Sequence, residues 1–355
     1  MRYIIELLNL NVINSSLTDF QNIIISSILI IILGFVLGRL KVFTNETAHS
    51  ITNILLNLTF PALCFTAFIQ DIDKNIIMQS MSLLIFGFIV YIVLILTFGK
   101  LYFNYKEDPK IALTICTIFG STTTFGFPIV YSLYGAEGLI YANIFNLSYR
   151  VFLYSYALIK MSGIKFRLEN IHEMIFNPIL FSTFLGLIVW IFQDNFPHIS
   201  IEKNNIVSYV SIVRIDHTLP AIFHTLKLLA SLTSALAWLS IGITLSNLSI
   251  KSALLSKTSW YYSFNKVIFL PLLTLLVLIA LKYFNVMGIS YIAVVAVVIL
   301  MATPTGAVVA AYSLKYDKAP VLISNCYFLS TVLSLILIPL WIIILEILKS
   351  AGILF

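Results

Sequence analysis

Apolar runs of about 20 residues, the length that crosses a bilayer as a helix, recur along this chain between short polar breaks. Ten such runs are present, at residues 21–38, 48–69, 76–99, 111–133, 138–159, 174–193, 219–246, 258–281, 290–313 and 320–345. This pattern predicts an all-α polytopic membrane protein with about ten transmembrane helices. Two polar-rich segments leave room for an interfacial helix, namely residues 1–20 and the mixed connection 195–217.

Composition supports a lipid environment. Hydrophobic residues make up 60% of the chain and charged residues 10%, which is too little polar surface to cover a soluble globule of this size. The net charge of +6 comes from basic residues that are scattered over the connections, so a nucleic-acid partner is not indicated. Cys64, Cys116 and Cys326 lie in apolar stretches without paired spacing, so neither a disulfide framework nor a metal site is predicted, and no cofactor is expected.

The distribution of Lys and Arg predicts the orientation in the membrane. The connections that follow the odd-numbered runs carry 12 of these residues, whereas the opposite connections and the termini carry 6. Both termini and the connection 195–217 are therefore expected outside the cell membrane, and residues 161–173 are expected in the cytoplasm. This result requires an even number of spans, so the count of ten and the charge distribution support each other.

The spans divide into two halves of five, at residues 21–160 and 174–347, with a short tail at 348–355. Five crossings reverse the chain, so the halves have opposite topologies and an inverted repeat becomes feasible. The fourth span of each half carries an echo at an offset of 181 residues: Thr122 matches Thr303, Thr124 matches Thr305, and Tyr131-Ser132-Leu133 matches Tyr312-Ser313-Leu314.

The same two spans carry Gly and Pro in mid-membrane, where Pro removes a backbone hydrogen bond and Gly loosens the helix. We expect breaks near Gly126-Phe127-Pro128 and Thr303-Pro304-Thr305, with the two segments close together. For one such segment, a kink tolerated inside a packed bundle is an equally good interpretation. Two in corresponding positions favour a substrate site.

Ionisable residues within the spans are cationic. All 15 carboxylates lie outside the ten runs, while Arg150 lies centrally in the fifth and Lys266 in the eighth. A buried guanidinium is costly unless it meets a ligand, a cavity or freed backbone carbonyls, and Lys266 is near enough to a helix end to reach water. The predicted substrate-binding residues are Thr122, Thr124, Gly126, Pro128, Asn146, Arg150, Lys266, Thr303, Pro304, Thr305 and Asn325. For the threonines, a hydrogen bond to their own helix is the structural alternative.

Three stretches carry a family resemblance: LGFVLGRLKVFTNETAHSITNILLNLTFPALCFTAF at 33–68, GFPIVYSLYGAEGLIYANIF at 126–145, and ATPTGAVVAAYSLKYDKAPVLISNCYFLSTVLSLILIPL at 302–340. They resemble the auxin efflux carrier family, which implies two inverted five-helix repeats with helices 4 and 9 broken and crossing. Plant members carry Asn-Pro-rich crossover motifs and a long cytoplasmic domain. This chain has Phe127-Pro128, Thr303-Pro304-Thr305 and a short connection, so it looks more like the compact bacterial malate and malonate permeases.

The leading functional hypothesis is a secondary transporter of a small organic anion, a mono- or dicarboxylate, that works by alternating access. A sodium-coupled symporter of the bile-acid type is the alternative, although its sodium sites normally include an acidic ligand within the spans. A channel or receptor fits the two interrupted spans less well, and no catalytic motif indicates an enzyme. The coupling ion and the oligomeric state are left open, a homodimer being one arrangement.

Overall fold

The computed structural model describes residues 10–71, 73–163, 177–203, 206–352 and 354. Residues 1–9 of the N-terminal segment and residues 164–173 of the expected cytoplasmic connection therefore lie outside the described residues. The described part is almost entirely helical, as the apolar runs predict.

The first half contains helices at all five expected spans, and three of these spans include a π-helical turn. Their bounds are α1 (Leu10–Arg39), α2 (Asn45–Ile54) continued by a π-turn (Leu55–Thr59) and α3 (Phe60–Ala67), α4 (Lys74–Thr97) continued by a 3₁₀ turn (Phe98–Tyr102), α5 (Glu107–Ile118), a π-turn (Thr122–Gly126), α6 (Phe127–Phe152), a further π-turn (Leu153–Ala157) and α7 (Leu158–Ser162). Within α6 the backbone turns sharply at Gly135, whose φ of 56° and ψ of −141° suit glycine. Two helical stretches therefore flank this residue.

The second half also contains helices at its five expected spans. Its helices are α8 (Pro178–Phe192), α9 (Ile215–Thr218), α10 (Pro220–Ser246), α11 (Ile250–Leu255), α12 (Lys257–Phe264) continued by a π-turn (Asn265–Phe269) and α13 (Leu270–Tyr283), α14 (Tyr291–Met301), α15 (Ala307–Lys315) and α16 (Pro320–Ser350). In both halves a long helix follows an interrupted one. This order is compatible with the inverted repeat, which remains a prediction.

Polar residues just before several helices pair the backbone N–H groups of the first turn, which have no partner within the helix. The Asp73 carboxylate accepts from the N–H groups of Asn75 and Ile76, and the Asn177 amide oxygen accepts from those of Ile179 and Leu180. Such caps explain why the apolar runs begin as helices at these points.

Six helices in the described part of the chain are long and apolar enough to cross a membrane. The apolar part of α1, Ile25–Arg39, and the helix Tyr291–Met301 are shorter apolar helical stretches. Large apolar side chains are exposed along several of them, among them Leu29, Ile85, Phe181 and Ile336. In water this exposure would be unfavourable, whereas lipid accepts it. The chain is therefore an integral membrane protein.

Helix contacts divide the bundle into two groups. In the first group α1 packs along α10, and α3 packs against both α8 and α10. In the second group α6 packs against α4 and α14, while α12 packs against α16 and α13 against α14. The two groups meet mainly where α3 lies against α6.

Two boundaries differ from the sequence-based expectation. The first helix begins at Leu10, so residues 10–20 belong to the same helix as the first apolar run. The connection 195–217 contains an antiparallel hairpin, β1 (His198–Lys203) paired with β2 (Ile206–Ser211), and the one-turn helix α9 in place of a longer interfacial helix. Arg214 attaches this connection to the loop between α3 and α4 through an ion pair with Asp71, and it also forms an ion pair with Asp216 inside the connection. Burial lowers the pKa of Arg214, but hydrogen bonds to these two carboxylates outweigh that effect and raise it.

Candidate functional site

Two interrupted helices touch through their backbones at the centre of the bundle. The Ser121 N–H donates to the Pro304 carbonyl at 2.8 Å, and the Gly306 N–H donates to the Phe119 carbonyl at 3.2 Å. Gly120 and Thr305 form an antiparallel bridge between these bonds. The two breaks therefore satisfy each other's backbone groups, which is the condition for irregular backbone inside a membrane.

The position of the break was predicted correctly in the ninth span and wrongly in the fourth. Met301 ends α14 and Ala307 starts α15, so the Thr303-Pro304-Thr305 segment lies in the gap. In the fourth span the gap is Phe119–Ser121, and Gly126-Phe127-Pro128 lies at the junction of a π-turn with α6. Pro128 follows this π-turn within one continuous helical stretch, and the wider turn accommodates its ring, so this proline does not break the helix.

Side chains from neighbouring helices pair the backbone carbonyls at the end of α5. The Tyr262 hydroxyl donates to the Cys116 carbonyl at 2.9 Å, Lys266 Nζ donates to the Thr117 carbonyl at 3.0 Å, and the Tyr149 hydroxyl donates to the Gly120 carbonyl at 2.7 Å. A helix leaves its last carbonyls unpaired and carries partial negative charge there, so a hydroxyl or ammonium donor is favourable. Lys266 is only 1% exposed.

The hydroxyls of the ninth-span break are occupied by internal hydrogen bonds. Thr303 Oγ1 donates to the Leu300 carbonyl at 2.6 Å. Thr305 Oγ1 lies 2.7 Å from the Tyr262 hydroxyl and 3.0 Å from Ser330 Oγ. Thr303 and Thr305 therefore stabilise the break itself in this conformation.

A cavity of about 410 Å³ lies between the two helix groups, beside the crossing. The first group contributes residues of α2 and α10, and the second contributes the segments after both breaks and the start of α16. Its polar lining consists of His49, Thr52, Thr124, Ser240, Thr244, Ser324 and Tyr327, and the rest is Leu55, Ala237, Ile241, Leu248, Ala307, Ala310, Ala311 and Leu314. No carboxylate of the described residues lines it.

The inner wall of the cavity includes the first turns of two half-helices. Ala307 is the first residue of α15, and Thr124 belongs to the π-turn that leads into α6. Thr124 Oγ1 lies 2.6 Å from Ser121 Oγ, so the hydroxyls of this turn are close together. N-terminal helix ends carry partial positive charge and free N–H groups, which suit an anion.

Of the predicted site residues, Thr124 alone lines this cavity in the described part of the chain. Thr122, Gly126, Pro128 and Asn146 are buried around the fourth-span break, with Asn146 Nδ2 3.4 Å from Thr123 Oγ1. Asn325 is half-buried next to Ser324, which lines the cavity. The structure therefore places most of the predicted residues near the crossing but only Thr124 on the cavity wall.

Arg150 lies away from the cavity, on α6. It is 4% exposed, its Cζ lies 5.9 Å from the centre of the Phe127 ring, and neither terminal nitrogen has a hydrogen-bond partner among the described residues. A structural alternative for Arg150 was to donate hydrogen bonds to backbone carbonyls freed by a break. In the structure Lys266, Tyr149 and Tyr262 make such bonds.

Several lining residues were missed by the sequence analysis. Ser240 and Thr244 are four residues apart on α10, and Ala307, Ala310 and Ala311 share a face of α15. A search for small and hydroxyl residues at helical spacing would have found these faces. His49 carried no such signal, because it belongs to a polar stretch at the start of α2.

Comparisons with known proteins identify related chains. The model of a family described as membrane transport protein matches residues 22–173 and 167–342. An uncharacterized transporter of Methanothermobacter thermautotrophicus is 22% identical over 330 residues, which cover 91% of this chain and 97% of the relative. An uncharacterized transporter of Methanocaldococcus jannaschii is 21% identical over 238 residues, which cover 65% of this chain and 70% of that relative.

Proposed function

This chain belongs to the membrane transport protein family, the auxin efflux carrier family, and on that premise we propose that it is a secondary transporter of a small organic anion. Both named relatives are described as transporters, which supports the transport activity. The proposal covers three points: the substrate is an anion, it carries a carboxylate group, and it is moved by alternating access.

The cavity carries the argument for an anion. Its inner wall is made by the N-terminal turns at Thr124 and Ala307, and no described carboxylate lines it. Partial positive charge from these turns, with hydroxyl donors around them, favours a carboxylate over an amine. At about 410 Å³ the cavity is near the lower end of the range for small-molecule sites, which suits a small acid.

The location of the cavity supports alternating access. It lies between the two helix groups, and its lining comes from segment ends near the connections that the Lys and Arg distribution predicts to be cytoplasmic, such as His49, Leu248 and Leu314. With that orientation the cavity is an inward-facing one. Movement of one helix group against the other would then expose the crossing to the opposite side.

Uptake by purified protein in liposomes tests the proposal. We expect saturable uptake of labelled malate, malonate or an aromatic acid and none of an organic amine, each measured with and without a sodium or pH gradient. The Thr124→Val variant keeps the side-chain shape but removes a hydrogen bond to a charged group, so its apparent affinity should fall about tenfold or more. Thr97→Val, the same change on an exposed position of α4, is the matched control.

Specific outcomes would contradict the proposal. Saturable uptake of the amine but of no acid would remove the anion assignment. Strict sodium dependence would favour the bile-acid type of symporter, and a continuous current without saturation would favour a channel. Equal affinities of Thr124→Val, Thr97→Val and the unchanged protein would remove the cavity as the site.

A further inference from the structure

Arg150 is a buried cation that the proposed substrate cavity does not use. Its guanidinium is almost fully enclosed, and both terminal nitrogens are without a hydrogen-bond partner among the described residues. The Phe127 ring, 5.9 Å from Cζ, offers only a weak cation–π contact at that distance. A buried charge left unpaired costs several kcal/mol, so the fold retains it only where something offsets that cost.

The described groups that interact with Arg150 supply no negative charge at neutral pH. Its electrostatic neighbours among the described residues are the Cys64 thiol and the hydroxyls of Tyr149 and Tyr154, which are ordinarily uncharged at pH 7. The Tyr149 hydroxyl donates to the Gly120 carbonyl, and the Tyr154 hydroxyl accepts from Asn177 Nδ2 at 3.3 Å. Both hydroxyls are therefore engaged elsewhere.

A second unpaired donor lies on the same face of α6. Asn143 is fully buried, and its Nδ2 has no hydrogen-bond partner in the part of the chain that the structure describes, while its Oδ1 lies 3.4 Å from the Thr183 hydroxyl. Asn143 precedes Arg150 by two helical turns, and long side chains on a helix lean toward its N-terminus. The Arg150 side chain is therefore expected to lean toward the turn that carries Asn143. Cys64 lies beside Asn143 and Thr183, and the charge of Arg150 acts on its thiol, so α3, α6 and α8 bring these groups into one region.

We propose that Arg150 and Asn143 bind a small monovalent anion, a halide or a free carboxylate, at a site separate from the cavity. The guanidinium supplies charge and two donors, and the Asn143 amide supplies a third donor. The site lies where α3 and α8 of the first helix group meet α6 of the second. A bound anion there holds the two groups together in this conformation.

Thermal unfolding of the purified protein in detergent tests this site without any transported substrate, so its failure leaves the proposed transport function untouched. Chloride is titrated against gluconate at constant ionic strength, and formate is titrated in the same way. We expect a saturable rise in the unfolding temperature with chloride or formate, and the more effective anion identifies the source. In Arg150→Gln the half-saturating concentration should rise on the order of 10- to 100-fold.

Two further variants keep the test decisive if Arg150→Gln folds poorly. Asn143→Ala retains the guanidinium and should bind the anion about 2- to 10-fold more weakly, as expected for the loss of one hydrogen bond. Lys257→Gln removes one positive charge from an exposed position and should respond like the unchanged protein. Identical responses of the unchanged protein and the Arg150 and Asn143 variants, or no difference among chloride, formate and gluconate, would overturn the proposal.

Discussion

Lys266 brings a positive charge to the point where α5 ends. Its Nζ donates to the Thr117 carbonyl, and a Cβ at Gly120 would lie 2.7 Å from Nζ and 2.5 Å from Thr303 Oγ1. Gly120 is therefore the residue that leaves room for the ammonium beside the break. The charge is compensated by carbonyl dipoles at a helix C-terminus, because no carboxylate of the described residues forms an ion pair with Lys266.

Replacing Lys266 with Met should weaken the crossing. The Thr117 carbonyl would lose its side-chain donor inside the membrane, and an unpaired buried carbonyl costs about 1–3 kcal/mol. We expect a loss of that order in unfolding free energy, measured by denaturant titration in detergent, and slower transport. Lys257→Met, the same substitution at an exposed position, should leave both unchanged. Equal stability of the two variants would show that Lys266 does not hold the end of α5.

At the scale of elements, three prolines each follow a π-turn, and none of the three breaks its helix. The π-turns Leu55–Thr59, Thr122–Gly126 and Asn265–Phe269 each end two residues before a proline, at Pro61, Pro128 and Pro271. Proline has no N–H, so it frees the carbonyl four residues earlier and crowds it, and a wider turn accommodates the ring. For Pro271 the freed carbonyl belongs to Val267, which accepts from Trp341 Nε1 at 3.0 Å.

The packing of α1 on α10 depends on backbone contact. A Cβ at Gly242 would lie 2.1 Å from the Ile31 carbonyl oxygen, which is backbone and can move only with its helix. Gly242→Ala should therefore force the helices apart and lower the unfolding free energy by about 1–3 kcal/mol. Gly99→Ala places the same methyl group in open space and serves as the control. Equal unfolding curves for both variants would contradict this packing.

At the scale of the whole molecule, the two helix groups share few contacts apart from α3 against α6, and the cavity lies between them. Helices that pack closely within one group are expected to move together, whereas the two groups can shift relative to each other because fewer contacts join them. The proposed anion at Arg150 and the proposed substrate in the cavity both lie at this boundary. The arrangement suits a transporter in which one group moves relative to the other.

The orientation in the membrane is a separate prediction, drawn from the 12 to 6 division of Lys and Arg. In a background without Cys64, Cys116 and Cys326, a cysteine at Tyr209 in the hairpin should react with an impermeant maleimide applied outside intact cells. A cysteine at Lys106 should react only after the cells are permeabilised. The opposite labelling pattern would invert the topology and make the cavity open outward.

The sequence by itself determined the membrane environment, the helices of the described spans and the ninth-span break. Each of these follows from local properties: the length of an apolar run sets a span, and Thr303-Pro304-Thr305 cannot continue a helix without losing backbone bonds. The sequence also indicated the region where the two spans cross, because the two Thr-rich segments match each other at a constant offset.

Only the tertiary structure decided which side chains face the cavity. The fourth-span break moved to Phe119–Ser121 because the backbone of the ninth span and Tyr149, Tyr262 and Lys266 pair its groups there, and those partners are distant in sequence. Lys266 and Arg150 look alike in the sequence as single cations in apolar runs. Packing gives Lys266 a carbonyl partner, whereas Arg150 has no hydrogen-bond partner among the residues that the structure describes. Hydrogen bonding depends on distances between helices, which no local sequence pattern encodes.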